Sequence, residues 1–512
     1  MEEKIPENKE YFPINTPKKE AYPAKKRELV FGALTVLTGL ALVNFTLWGG
    51  LNLGFAVASA VCILLSAGYL LSCGCRLTPY SGALLGLSLV IAVGFAFSAD
   101  GFVKFVMVCF LLVSVNLGLC LLSGQNLRSP GVADSLLDAP RALFTMGIGK
   151  LSPAFSGITQ AFRSSGSLGA NSAAVLVGLL IAVPLLMILV PLLMFADAAF
   201  EGLMDHLPRI DLRQIFVTLL LGVCLAAVLY TRAVALNACP KTARQEKRQR
   251  RGIHVVTVNT VLAAVCIVYL AYLFSQIAYF VGGFAGILPQ EYTMAEYARR
   301  GFFEMGWLCA INLGIIALSI GLVRKEGAAP LSTRLLCLFI GIITLFFVAA
   351  SGGKMLLYIG SYGLTRLRLM TQAIMLWLGL TTVLVLLHLF LPKLSYMQGT
   401  VLCAMVIGAV LFLGDVDSMV ARHNVDAYLS GELETVDVRY LGGLSHSAVP
   451  YLEQLALEAD APVAEEARKM LFYGSNYGSD EIADLRGWNK ATATAQQIWE
   501  DYAQYSSQTK KP

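Results

Sequence analysis

Apolar runs of membrane-spanning length recur along this chain, and that recurrence constrains its fold more than any other feature. A helix of about 20 residues covers the roughly 30 Å of hydrocarbon in a bilayer. Runs near 29–48, 51–71, 80–98 and 102–123 are followed by others near 172–195, 213–231, 254–282, 303–323, 335–351, 370–391 and 397–414. Backbone amides inside a bilayer have no water to bond, so such runs must become helices. The chain therefore reads as an all-α polytopic membrane protein with about 11 transmembrane helices. Only 14% of the residues are charged and 56% are apolar, against about a quarter charged in soluble domains. A bilayer is the expected partner, and no feature calls for nucleic acid.

The placement of charge sets the topology. Residues 1–28 are polar, rich in Pro and in both charge signs, and close on Lys25, Lys26 and Arg27, the profile of a disordered cytoplasmic tail. The first apolar run has no small-residue cleavage site and reads as a retained anchor. With the amino terminus inside, the cytoplasmic segments collect 23 Lys and Arg, against eight in the outer segments before the C-terminal region. That is the bias cytoplasmic loops show. An odd number of spans then places residues 415–512 outside the cytoplasm, where 16 acids against 8 bases are acceptable. The expected plan is a tail at 1–28, a transmembrane helical domain at 29–414 with an interfacial segment near 138–165, and a small soluble helical domain at 415–512. Within that last region, breakers and apolar spacing predict helices over 417–429, 447–460, 461–472 and 490–505. Such a domain suits docking of a protein partner.

Motifs for known chemistry are absent. The five histidines form no HExxH pair, and there is no GxSxG elbow, intact Walker motif or dinucleotide fingerprint, so neither a metal nor a cofactor is expected. Gly147 to Ser152 imitates a phosphate loop but has Phe144 where the first Gly must stand. Cys73-Gly74-Cys75 is the closest cysteine pair and lacks the partners of a zinc site. The basic run from Lys241 to Arg251 can attract anionic lipid, and a topology anchor is a sufficient reading of it.

Two charged stretches pressed against apolar runs remain to be explained. The first is Tyr297-Ala298-Arg299-Arg300-Gly301-Phe302-Phe303-Glu304. On a helix Glu296, Arg300 and Glu304 share one face, and Asn312 lies on the same row about 12 Å deeper. The second is Tyr362-Gly363-Leu364-Thr365-Arg366-Leu367-Arg368, which follows Ser351-Gly352-Gly353-Lys354. Glycines at 352, 353, 360 and 363 predict a break after residue 351, because each costs a helix about 1 kcal/mol. Arginine forks suit phosphate and carboxylate. Tyr297, Arg299, Arg300, Glu304, Asn312, Thr365, Arg366 and Arg368 are thus the candidate site for an anionic lipid, a lipid-linked phosphate or a protein partner.

These stretches resemble a bacterial multipass membrane family catalogued only as a domain of unknown function, the 4153/4173 group. The tail carries the resemblance further, in Ala421-Arg422-His423-Asn424-Val425, Tyr440-Leu441, Leu444-Ser445 and Ala448-Val449-Pro450. The resemblance implies a bacterial plasma membrane and brings no activity with it. The reading that covers both the outer charges and the tail is an envelope sensor, scaffold or assembly protein. A secondary transporter lined by Asn259, Gln276 and Asn312 is the alternative, and a membrane-embedded transferase using Glu304 as a base is a third; the balance leans away from an enzyme.

Overall fold

The computed structural model describes residues 26–124, 212–238, 253–284, 302–323, 330–477 and 484–509, with a few isolated positions between 178 and 193. Among the described residues ten apolar helices form a bundle: α1 (Lys26–Gly49), α2 (Leu53–Ser72), α3 (Pro79–Gly94), α4 (Gly101–Leu122), α5 (Leu212–Ala238), α6 (Val255–Phe284), α7 (Phe302–Leu322), α8 (Leu331–Tyr362), α9 (Arg366–Phe390) and α10 (Tyr396–Gly414). Nine are long and apolar enough to cross a membrane, and α3 is a shorter apolar helix. Ten of the eleven expected spans coincide with these helices. The run near 172–195 lies almost wholly outside the described residues, as do the interfacial segment near 138–165 and the basic run 241–251.

Side-chain placement suits a lipid solvent. Phe274 and Trp307 point outward, 75% and 71% exposed, whereas Ser88, Ser114, Asn312 and Thr344 are fully or nearly fully buried. Helices in lipid gain little from burying Leu and associate through close backbone approach and shared hydrogen bonds. The α1–α5 crossing shows the first device, since a Cβ added at Gly39 would stand 2.6 Å from the Gly222 carbonyl oxygen. The second joins α3 to α4, where the Ser88 and Ser114 hydroxyls lie 2.7 Å apart. One apolar core, built around Leu84, Ile91, Phe95 and Met107, unites α1–α5 with α10. Another, around Leu262, Ile316, Ile340 and Phe347, unites α6–α9.

The predicted break after residue 351 does not occur: α8 runs unbroken through Gly352 and Gly353 to Tyr362. In an apolar surrounding no water competes for the backbone, so glycine loses much of its power to end a helix. The Gln372 amide of α9 also donates to the Gly352 carbonyl at 3.0 Å. The chain turns at Gly363 instead, with φ +71°, a left-handed conformation that favours glycine.

Beyond Gly414 come α11 (Val416–Leu429), α12 (Val438–Gly442), a 3-10 turn at His446–Ala448, α13 (Val449–Glu458), α14 (Ala461–Tyr477) and α15 (Lys490–Thr509). The four expected tail helices are present, and α12 was too short to carry a periodicity. They close on a core of Val425, Leu455, Ala467, Leu471, Ala495 and Trp499. The tail grips the bundle. Leu53 and Gly54 donate their amides to the carbonyls of Trp488 (3.0 Å) and Arg486 (3.1 Å). Asn489 donates to the carbonyls of Phe95 (3.1 Å) and Ser98 (2.7 Å), and Arg486 reaches Asn44 at 2.8 Å. The tail therefore lies at the end of the bundle where α1 finishes and α2 begins, opposite Lys26.

Candidate functional site

The seam between bundle and tail is organised by the turn from Gly363 to Arg368. Asn424 of α11 clamps its extended part: the Leu364 amide donates to Asn424 Oδ1 (2.6 Å), and Asn424 Nδ2 donates to the Leu364 carbonyl (2.8 Å). A Cβ at residue 363 would stand 2.7 Å from the same Asn424 oxygen, so the turn requires glycine for space as well as for φ. Thr365 caps α9, its hydroxyl accepting from the Arg368 amide at 3.3 Å. Arg368 donates from Nη1 to the carbonyls of Tyr362 (3.0 Å) and Gly363, and its guanidinium stacks 4.1 Å above the Tyr358 ring. A cation is thus held over the negative end of α8, where the macrodipole favours it.

Arg366 is the centre. Its amide donates to the Tyr440 hydroxyl at 3.0 Å. Its Nε and Nη2 form a fork on the Asp417 carboxylate, Nη2 to Oδ2 at 2.5 Å, and Nη2 also meets Asp100 Oδ2 at 2.9 Å. Asp417 is wholly buried and accepts a further hydrogen bond from the Ser445 amide at 2.9 Å. Asp100 caps α4 by accepting from the Val103 amide at 2.7 Å. One turn along α4, the buried Lys104 donates to Asn52 Oδ1 at 2.6 Å. One arginine therefore joins the first turn of α9, the start of α4 and the first tail helix.

Asp415 completes the cluster. It is the single residue between α10 and α11, it holds φ +54°, and it is 7% exposed. A non-glycine residue in that region stores about 1–3 kcal/mol of strain. Burial lifts its carboxyl to about 6; a hydrogen bond with Ser447 opposes the rise, and the negative charges of Asp417 and Asp100 add to it.

The residues expected to form one site are distributed. Thr365, Arg366 and Arg368 share the seam. Glu304 lies exposed in the first turn of α7, and Asn312 is fully buried on the same helix. There Asn312 accepts from the Tyr269 hydroxyl (2.5 Å) and donates to Thr344 (3.0 Å). It ties α6, α7 and α8 together. Tyr297, Arg299 and Arg300, with Glu296, lie outside the described residues. The candidate set left out Asp100, Lys104, Asp415 and Asp417. The signal was present as Asp415-Val416-Asp417, two acids following the last apolar run, yet their bases stand far away in the chain.

A family model described as "Domain of unknown function (DUF4153)" matches residues 85–455. The chain belongs to the DUF4153 family. No curated protein and no solved structure matches it. The matched range of the DUF4153 domain contains Asp100, Lys104, Arg366, Asp415 and Asp417, the charged groups of the cluster, with Asn424, Tyr440 and Ser445, whereas Asn52 and the Arg486–Asn489 grip lie outside it. The membrane stretch Tyr362–Arg368 and the tail stretches around Asn424, Tyr440 and Ser445, which together suggested this family, meet in space. Among the described residues no group of His, Cys, Asp or Glu is placed to hold a metal ion.

Proposed function

We propose that this integral membrane protein is a sensor or scaffold of the bacterial cell envelope, with its amino terminus in the cytoplasm and its tail outside. In this reading the tail-bearing end contacts anionic lipid headgroups while the tail helices dock a protein partner. The observation that carries the proposal is the Arg366 fork, which fastens the tail to two membrane helices through buried charge. An event felt by either unit is thereby passed to the other. The orientation is supported by Arg27, Arg76, Arg334 and Lys393, which belong to helix ends and loops at the opposite end of the bundle. Lipid contact is supported by Arg368 with the exposed Tyr362 beside it, the basic and aromatic pairing common at headgroup level. Arg299, Arg300, Tyr297 and Glu304 are proposed to extend that contact. A docking role is supported by Leu457 and Tyr473 of the tail, 73% and 65% exposed.

The test is lipid retention by the full chain in nanodiscs of phosphatidylglycerol and phosphatidylcholine. Arg368→Gln removes the charge and keeps a polar side chain that can still donate a hydrogen bond. It is expected to reduce anionic-lipid preference by about tenfold, the worth of one charged hydrogen bond. An unchanged preference in Arg368→Gln, and in a variant that also carries Arg299→Gln and Arg300→Gln, would remove lipid contact from the proposal.

A further inference from the structure

We propose that Asp415 is a proton-binding site that governs how tightly the tail is held against the membrane bundle. Geometry carries the argument. The buried cluster contains three carboxylates, Asp100, Asp415 and Asp417, and two cations, Lys104 and Arg366, so it bears one uncompensated negative charge when all three acids are ionised. Arg366 is committed to Asp417 and Asp100, and the Lys104 ammonium bonds to the neutral amide of Asn52. Among the described residues, Asp415 is left as the acid of the cluster without a bonded cation. Its Oδ1 is buried and has no hydrogen-bond partner, a condition costly for a charged oxygen and easily met by a protonated one. Protonation removes the surplus charge without needing space, and no described group of acids is arranged to coordinate a metal ion instead.

The position of Asp415 turns that proton into a mechanical signal. It alone connects the last membrane helix to the first tail helix, and its left-handed backbone is kept by the packing around it. Among the described residues, the groups that face it or its partners are Asn52 from α2, Asp100 and Lys104 from α4, Arg366 from α9, Asp417 from α11, Tyr440 from α12 and Ser447 from the 3-10 turn. His446, next to Ser447, turns instead to Thr492 and Trp499 of α15. The raised carboxyl of Asp415, about 6 against an ordinary 3.8, agrees with this site and sets the sign. The docked state binds the proton more tightly than a released tail would, so docking is strongest in acid and weakens as pH rises through about 6. Between pH 5 and pH 8 the docking equilibrium falls about tenfold.

The inference is independent of lipid contact, and its test uses a single phosphatidylcholine nanodisc. Hydrogen exchange of the peptide spanning 416–429, corrected for the intrinsic pH dependence, is followed from pH 5 to pH 8 on the full chain. Protection is expected to fall about tenfold in the wild type and to stay high and flat in Asp415→Asn. The infrared band of a protonated carboxyl should vanish over the same range and be missing from Asp415→Asn. Lys104→Met, which removes a cation whose charge acts on Asp415, should move the midpoint upward even if the Asn variant fails to fold. Flat wild-type protection, pH dependence that survives in Asp415→Asn, or a midpoint that depends on sodium would each overturn the proposal, the last because it would make the ligand a metal cation.

Discussion

Removing the Asp417 carboxylate should release the tail, and the structure allows the cost to be worked out. Asp417→Ala deprives the Arg366 fork of its main partner and the Ser445 amide of its acceptor. Breaking a buried ion pair by deleting one side costs about 3–5 kcal/mol, most of it the charge left behind. Here Arg366 keeps Asp100 at 2.9 Å and its side chain is 30% exposed, which lowers that part to about 2 kcal/mol once solvent screening is allowed for. The orphaned Ser445 amide adds about 1 kcal/mol. The total of about 3 kcal/mol is roughly a hundredfold in the docking equilibrium. Hydrogen exchange over 416–429, measured on the full chain in nanodiscs, should therefore speed up about a hundredfold in Asp417→Ala. Arg422→Ala is the control, because the Arg422–Asp426 pair at 3.4 Å is exposed on both sides (72% and 55%); it should change exchange by less than about twofold. If Asp417→Ala behaves like that control, buried charge does not hold the tail and the reasoning fails.

Other sites give expectations of different size. Asn424→Ala loses both bonds to Leu364 and should loosen the seam by about 1–3 kcal/mol, visible as faster exchange across 362–368 with the bundle interior unchanged. Asn312→Leu should lower the thermal midpoint through a loss of about 1–2 kcal/mol, and a neutral result would show that Tyr269 and Thr344 are satisfied without it. Gly39→Leu meets the Gly222 carbonyl and should cost about 1–3 kcal/mol or block assembly of α1 on α5. Gly68→Leu, with open space around its added Cβ, should leave yield and melting in detergent unchanged.

The opposed outcomes at α8 and at Asp417 show which parts of this protein its chain announces. Helices α1, α2, α4 and α10 follow from run length and hydropathy alone, since lipid leaves the backbone no other choice. The tail helices follow from Pro462 and their apolar spacing, although α14 runs through Gly474 to Tyr477 rather than ending before it. The same local reasoning failed at Gly352, because helix propensity measured against water overstates the cost of glycine where water is absent. Arg366 was recognisable as a residue needing a partner, but not which partner. Asp100 lies 266 positions before it and Asp417 51 after it, and no periodicity links residues on three different helices.

What the chain determined by itself is its solvent, its helices and the list of charges too costly to leave unpaired at a membrane surface. Only the tertiary structure decided how those charges pair, because pairing depends on which helix ends are neighbours. By bringing the starts of α4 and α9 beside the first tail helix, packing turned an arginine suited to an outside anion into the bolt of an internal seam. It also left Asp415, with no partner for one oxygen, at the joint between membrane and tail.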